Sequence, residues 1–451
     1  MPHPPKPFRI GAGAGYAGDR IDPAQALAEH GALDALVFEC LAERTIALAQ
    51  LRRAQDPCAG YDPMLPARLR AVLPACMANG VRIITNMGAA HPEAAGVAAL
   101  EVARELGLPR VRVAVVSGDD VLDWMRRHDA PLLDSTQTVR DLGDRLISAN
   151  AYLGSDALLP ALASGPNLVI TGRVADPALF LAPLMFHFGW AADDWPLLGQ
   201  GTVVGHLLEC AGQVSGGYLA DPGFVDVDRL DELGFPLAEV RADGRCVVTK
   251  LAGTGGRVDR LSCTAQLLYE IENPARYLQP DVVADFSGVR LHEVGPDRVS
   301  VEGASGQPRP AQLKVTLGYR DGWIGEGQIS YAGPGARARG ELALAVMARR
   351  LRGLGLGALE QRAELIGVNA MHGPQRGNER EPYEVRLRVA VRCATRAQAE
   401  RVGQEVEALY LNGPAGGGGA TQSVREVIAV ASALIPREAV APRCTVLESP
   451  P

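Results

Sequence analysis

Short, uninterrupted apolar runs recur along the first part of this chain, and each is followed by a stretch with helical spacing. The runs are FRI, ALVF, VRIIT, VRVAVV and NLVIT. A strand with one wet face alternates apolar and polar residues, whereas a strand apolar throughout must be covered on both faces. Repetition of such strands with intervening helices predicts a parallel sheet with helices on its two sides. The expected fold class is therefore α/β: a largely parallel sheet flanked by helices over residues 8–285, holding the active-site cleft.

Individual elements follow from local signals. DPAQALAEHG reads as a helix with Asp22 as N-cap, Pro23 in its first turn and Gly31 just past its end. ALVF ends at Glu39 and leads into the helix LAERTIALAQLRRA. VRIIT ends at Asn86 and precedes a helix from Glu93 to Leu106. VRVAVV runs into SGDD, where Asp119 or Asp120 caps VLDWMRRH. NLVIT ends at GRVADP, with Asp176 as the cap of a helix from Ala178 to about Phe188. GHLLECAGQ and CTAQLLYEI read as helices, and CVVT and PDVVADF as strands continuing the pattern. From residue 286 the texture changes. VRLHEV, RVSVEGA, AQLKVTLGYRDG and WIGEGQISYAG alternate apolar and polar residues between glycine turns, as antiparallel strands do. The helices ARGELALAVMARRL and RAQAERVGQEVEALY, the strand YEVRLRVAVRCAT and a flexible loop NGPAGGGGATQSV complete an α+β C-terminal domain over 286–451.

Composition excludes several function classes. A net charge of −7 argues against nucleic acid as the main partner, because phosphate binding needs a basic face. No apolar run approaches the roughly 20 residues of a membrane span. The opening MPHPPKPF has no apolar core, so it reads as a disordered tail rather than a secretory signal. The eight cysteines form no C-x-x-C pair, which fits reduced thiols in a cytoplasmic protein and no structural metal site.

Ligands of parallel sheets sit beyond the carboxyl ends of the strands, so the polar residues there are the candidate site. Glu39 ends a strand where burial would raise its pKa and suit it to move a proton. With the helix starting near Cys40, Glu43 shares its face, beside Arg44. Arg173 is placed to fork onto a carboxylate. Asp176, Asn86 and Asn150 are expected to help bind substrate. His206, four residues before Cys210 with Glu209 between, is a candidate acid or base. The glycine loop GAGAGYAGD is a poor dinucleotide cradle. Gly13, Gly15 and Gly18 do read as G-x-G-x-x-G, but Asp19 and Arg20 follow before the helix, and a carboxylate there repels a pyrophosphate. A tight, substrate-facing loop presenting Asp19 is expected instead. The anion site is expected at TKLAGTGG. Only Lys6, Lys250 and Lys314 are lysines among 45 basic residues, which marks Lys250; the amides around Gly253, Thr254, Gly255 and Gly256 would join it. No G-K-[ST] occurs, so neither an NAD nor an ATP motif of adequate quality is present and the cofactor is left open.

Taken together, VFECLAERT, GYDP, ITNMGAAHP, ANAYLG, VITGRVADP, GHLLECAGQVSGGYLADPG, KLAGTGG, LLYEI and PDVVADF resemble the acyclic terpene utilization AtuA family, over about residues 8–435. The chain departs from the family pattern at its glycine loop, where Tyr16 is followed by Ala17 instead of a second aromatic. The resemblance implies a bacterial catabolic protein in the breakdown of branched acyclic terpenoids through acyl-CoA intermediates. It also implies a possible small partner protein. A homo-oligomer is expected, with no nucleic-acid or membrane partner. The residues lead to a lyase of hydratase or dehydratase type on a carboxylate or CoA ester. Two alternatives stand beside it: a hydrolase or acyl transferase using Cys40, Cys210 or another thiol, and a non-catalytic scaffold acting with a small partner.

Overall fold

The computed structural model describes residues 6–373 and 381–449. The expected tail falls mostly on residues 1–5, which lie outside them. The described chain divides into two units, one of residues up to Gly318 together with Val430 onward, the other Tyr319–Ala429.

The first unit is organised by a ten-stranded sheet. Its centre is parallel: β1 (Phe8–Ala14), β2 (Ala35–Phe38), β3 (Arg82–Thr85) and β4 (Arg112–Ser117), with β5 (Leu146–Ala151) outside the sheet and β6 (Leu168–Thr171) inserted between β3 and β4. β2 and β6 are buried at every position, as a strand covered on both faces must be. The flanks are antiparallel. β7 (Pro236–Val240) and β8 (Cys246–Lys250) form a hairpin against β1. Past a small pair, β9 (Tyr277–Leu278) and β10 (Val283–Asp285), β11 (Arg290–Gly295) and β12 (Arg298–Glu302) extend that edge. β13 (Ser305–Gln307) pairs with β10 in a separate three-stranded sheet.

Helices α1 (Asp22–His30), α2 (Glu43–Gln55), α3 (Leu65–Asn79) and α4 (Pro92–Glu105) follow the first strands, and α1, α3 and α4 pack side by side on the sheet. After the short α5 (Leu122–Arg127) and α6 (Val139–Leu142), a second layer is built from α7 (Leu159–Ala163), α8 (Ala178–Phe188) and α9 (Trp195–Leu208). α9 is buried at every position from Leu198 to Leu208. It lies against α8, α10 (Arg260–Leu268) and the small sheet. Such burial explains its composition, TVVGHLL, which carries no amphipathic stripe.

Several expected caps are reassigned. Asp22 is the first residue of α1 rather than its cap, and its carboxylate takes both Arg20 Nε at 3.0 Å and Arg20 Nη2 at 2.6 Å. Asp120, not Asp119, accepts the Leu122 amide at 3.1 Å. α8 spans Ala178–Phe188, yet its N-cap position is Pro177 with no side-chain cap, which leaves the Asp176 carboxylate free for another role.

The two strands expected either side of YRDG are one strand, β14 (Gln312–Ala332), which belongs to the second unit from Tyr319 onward. Gly322, at φ 78°, absorbs the local kink. β14 is flanked by β16 (Glu384–Cys393), itself paired with β15 (Gln361–Ile366), and by β17 (Gly418–Pro436). β17 begins inside the segment expected to be a flexible loop. Helices α11 (Ala336–Gly353) and α12 (Arg396–Glu407) cover this sheet, and α12 opens with a capping box on Thr395. α13 (Leu409–Asn412) follows, and the last strand, β18 (Arg443–Glu448), closes the first unit's sheet beside β4.

The packing of α9 is testable. A Cβ on Gly199 would overlap the Ser305 carbonyl, and its nearest neighbours there are all backbone atoms of Ser305 and Gly306, with no side chain to give way. Gly199→Ala is expected to cost about 1–3 kcal/mol, read as a lower midpoint in urea unfolding. An unchanged midpoint would contradict the close approach of α9 to β13.

Candidate functional site

A cleft of about 1110 Å³ lies beyond the carboxyl ends of β1, β2 and β6. The β1 loop contributes Gly15, Tyr16, Asp19 and Arg20; the turn after β2 contributes Glu39 and the start of α2 Glu43; the turn after β6 contributes Arg173 and Asp176. Tyr152, Glu209, Cys210, Glu270, Arg276 and Lys314 are among the other polar lining residues, and Leu233, Phe235, Leu278 and Leu313 give it apolar walls.

Arg173 is the central cation. It is 1% exposed, Nη2 donates to Asp176 Oδ1 at 2.7 Å, and the guanidinium stacks 4.1 Å from the centre of the Tyr152 ring. Its Nε and Nη1 are buried without a partner. A buried donor left unmade costs about 1–3 kcal/mol, more for a charged group, so these atoms are the unmet donors of the site. Burial opposes the charge of Arg173, but Asp176, Tyr152, Glu39 and Glu43 outweigh it and raise the pKa. Its backbone is fixed from below. Asp119 Oδ2 accepts from the Arg173 amide at 3.0 Å and from Asn150 Nδ2 at 2.8 Å. Burial pushes Asp119 up to about 6 against these bonds.

Glu39 is 8% exposed and precedes the helix, since α2 starts only at Glu43. Its Oε1 accepts from the Leu41 amide at 2.7 Å and from Asn86 Nδ2 at 3.0 Å. Asn86 Oδ1 in turn accepts from the Cys40 amide at 2.8 Å. Asn86 and Asn150 are thus absent from the cleft lining: one orients Glu39, the other Asp119. Burial first, then the negative charge of Asp176, raises Glu39 to about 8; Arg173 and the two hydrogen bonds pull the other way without prevailing. Burial also raises Asp176, with Arg173 opposing.

Glu43 has the opposite environment. Burial again favours its neutral form, but the Tyr152 hydroxyl, which donates to Oε1, and the cations Arg173 and Lys314 hold it down to about 2. Lys314 Nζ donates to the same oxygen at 3.1 Å and lies 4.9 Å from the Tyr152 ring centre. Two carboxyls of one cleft are therefore split, one protonated and one ionised at neutral pH.

The glycine loop serves contact rather than phosphate binding. A Cβ on Gly15 would lie 2.4 Å from the Cys210 carbonyl carbon, so only glycine lets the loop pass. The Gly15 amide, which an anion would need, already donates to Asp19 Oδ2 at 2.9 Å. Beneath the loop is the fully buried Arg68, whose Nη2 donates to the carbonyls of Ala17 at 3.1 Å and Asp19 at 2.9 Å.

Lys250 and its loop are not part of the cleft, which corrects the expected anion site. Lys250 Nζ donates to the Thr254 carbonyl at 2.9 Å and pairs with Asp297 at 3.1 Å. The Gly255 and Gly256 amides donate to the carbonyls of Glu232 and Asp228, each at 2.8 Å. Thr254 Oγ1 donates to Leu251 O at 2.7 Å, and Gly253 supplies a turn at φ 81°. The donors of this segment are consumed internally, two strands away from β1. His206 is also absent from the lining; it lies behind Glu209. Tyr152, Glu209, Arg68 and Lys314 were not singled out as site residues from sequence, and Asp119 stood only among the polar residues at the strand ends. Lys314 carried the same signal as Lys250, lysine in a chain that uses arginine, but it lies in an alternating strand.

Among the described residues, no group of three or more His, Cys, Asp or Glu is placed to hold a metal ion, and no helix is long and apolar enough to cross a membrane.

Comparison with protein families matches residues 8–446 to the family described as acyclic terpene utilisation family protein AtuA. The chain belongs to that family. Membership implies a role in acyclic terpene utilisation. Comparison with curated proteins and with solved structures gave no match.

The raised pKa of Glu39 has a consequence for stability. A folded-state value of about 8 lies above the ordinary 4.5, so the folded chain binds the proton more tightly than the unfolded one. The associated stability is fully present below about 4.5 and is lost as pH rises through about 8. Thermal unfolding between pH 5 and 8.5 is expected to show a falling Tm whose slope is reduced in Glu39→Gln. Parallel slopes for the two proteins would rule out the raised value.

Proposed function

We propose that this chain is a lyase of hydratase or dehydratase type, acting on a branched carboxylate or its CoA ester in acyclic terpene utilisation. The observation that carries this reading is the pairing, in one cleft, of a carboxyl that keeps its proton at neutral pH with a buried guanidinium that has two unpartnered donors. Proton-transfer chemistry needs carboxyls with separated pKa values, and an anionic intermediate needs preorganised donors.

In the dehydration direction the atoms balance as follows. Asp176, as carboxylate, takes the proton from the carbon next to the substrate carbonyl. The electron pair moves onto the carbonyl oxygen, which Arg173 Nε and Nη1 hold as it becomes anionic. The pair then returns to form the C=C bond as the C–O bond to the β-hydroxyl breaks. Glu39 gives its proton to the departing oxygen, releasing water. Proton transfer from Asp176 to Glu39 restores the starting state. Hydration is the reverse. Glu43, pinned as an anion between Tyr152 and Lys314, keeps the Tyr152 ring under Arg173. The volume of the cleft suits a substrate larger than a small acid.

The cleft disfavours thiol chemistry. Burial and the charge of Glu209 push Cys210 up to about 12, and Cys40 is raised well above its ordinary value, chiefly by burial. A thiol in that range supplies almost no thiolate at neutral pH.

Turnover of a panel of branched 3-hydroxy and α,β-unsaturated acids and their CoA esters, followed by mass spectrometry, tests the reading. Glu39→Gln is expected to lose about 10²–10⁴-fold in rate. The wild-type dehydration rate is expected to fall as pH rises through about 8, because Glu39 must carry its proton. Equal rates for wild type and Glu39→Gln would remove Glu39 from the mechanism. Arg173→Lys keeps the charge but not the fork, and is expected to lower turnover more than it lowers Tm.

A further inference from the structure

The end of α9 holds a buried acid–imidazole pair that the reaction above does not use. His206 Nδ1 and Glu209 Oε1 are 2.8 Å apart. His206 is 1% exposed and Glu209 9%. The second polar atom of each, His206 Nε2 and Glu209 Oε2, is buried without a partner. The imidazole packs in a three-ring cluster with Tyr277 and Phe286, at centroid distances of 5.5 and 5.7 Å, those two rings being 5.5 Å from each other. Gln266 Nε2 donates to the His206 carbonyl at 2.9 Å, fixing the turn that carries it. Glu209 lines the cleft while His206 does not. The geometry is that of a carboxyl presented to a ligand and oriented from behind by an imidazole, the arrangement in which an acid or base is activated by a third group.

We propose that Glu209 is a second proton-transfer group of the cleft, with His206 as its positioning residue, and that it exchanges a carbon-bound proton of the substrate independently of Glu39. The inference rests on the reading of the cleft as a site for carboxylates or thioesters. For an α,β-unsaturated substrate the step is balanced without redox change. Glu209 removes a proton from the γ-carbon; the electron pair is delocalised onto the carbonyl oxygen, which Arg173 holds. The proton, or one from solvent, then returns at the α- or γ-carbon. Return at the α-carbon shifts the double bond by one position. Return at the γ-carbon regenerates the substrate with an exchanged hydrogen.

The charged and titratable groups around Glu209 come from several elements: His206 on its own helix, Asp176 from the turn after β6, Glu270 beyond α10, and Cys210 and Tyr277, which feel its charge. Burial first, then Asp176 and Glu270, favours its protonated form. The hydrogen bond and charge of His206 oppose them, and the balance leaves Glu209 raised to about 7.

The protein is incubated in D₂O with 3-methyl-2-alkenoic acids and their CoA esters, and exchange is followed by mass spectrometry as deuterium at the γ-carbon, which water addition does not label. Glu209→Gln is expected to reduce exchange roughly 10²-fold, whereas Glu39→Gln slows water addition by about 10²–10⁴-fold and leaves exchange. Glu209→Asp, which keeps a carboxyl, is expected to retain part of it and decides the matter if Glu209→Gln does not fold. His206→Gln removes the bond that holds Glu209 down, so the pH midpoint of exchange moves upward; a purely structural histidine would alter the yield of folded protein and leave the midpoint in place. Water addition without any exchange, exchange unaffected in Glu209→Gln, or an unmoved midpoint in His206→Gln overturns the inference while leaving the proposed function standing. Absence of both addition and exchange in wild type overturns both.

Discussion

The site depends on keeping one guanidinium charged where water does not reach. Arg173 is almost fully buried, and an unpaired ion in such a place is costly by several kcal/mol. The chain meets that cost in three directions. Asp176 supplies the ion pair, Tyr152 a π-face and Asp119 a carboxylate on the backbone amide. Each compensating group then needs support of its own. Tyr152 is tied to Glu43, Glu43 to Lys314, and Asp119 to Asn150. The polar network around the cleft is therefore a sequence of repayments that begins at one cation, and it draws in β2, β5, β6 and the start of β14.

A second buried arginine plays a quieter part. Among the described residues no carboxylate lies within hydrogen-bond distance of Arg68; its Nη1 and Nη2 donate to backbone carbonyls of the glycine loop, among them Ala17 and Asp19, while its Nε is buried and unmet. Carbonyl dipoles are poor substitutes for a counter-ion unless several converge, so the loop must stay in one conformation for Arg68 to remain solvated by it. The rigid loop in turn sets Asp19 and Tyr16 at the cleft wall.

The fold was legible where the signal is local and the site only where it lies next to such a signal. The parallel centre follows from the apolar runs, and the helix Ala178–Phe188 has the bounds that its sequence implies. Glu39, Arg173 and Asp176 were found because strand ends are where ligands of such sheets sit. The YRDG segment misled because the residues that favour a turn also tolerate a kink within a continuous strand, and only cross-strand pairing distinguishes the two. Lys250 misled for a related reason: a lysine beside glycines signals available donors, but whether those donors are already consumed is decided by Asp297 and by distant carbonyls. The roles of Tyr152, Asp119 and Lys314 exist only through contacts between residues far apart in the chain, and no local pattern encodes them.

Arginine does not lose its proton in any accessible range, whereas Glu39 and Glu209 sit near the middle of it. The positive charge of the cleft is constant and its negative charge is a variable. On the proposed reading, alkaline conditions make the pocket less hospitable to an anionic substrate, while deprotonation of Glu39 removes its acid. On that reading ligand retention and acid strength share a single dial, so a variant that strengthens one by shifting these carboxyls carries the other with it.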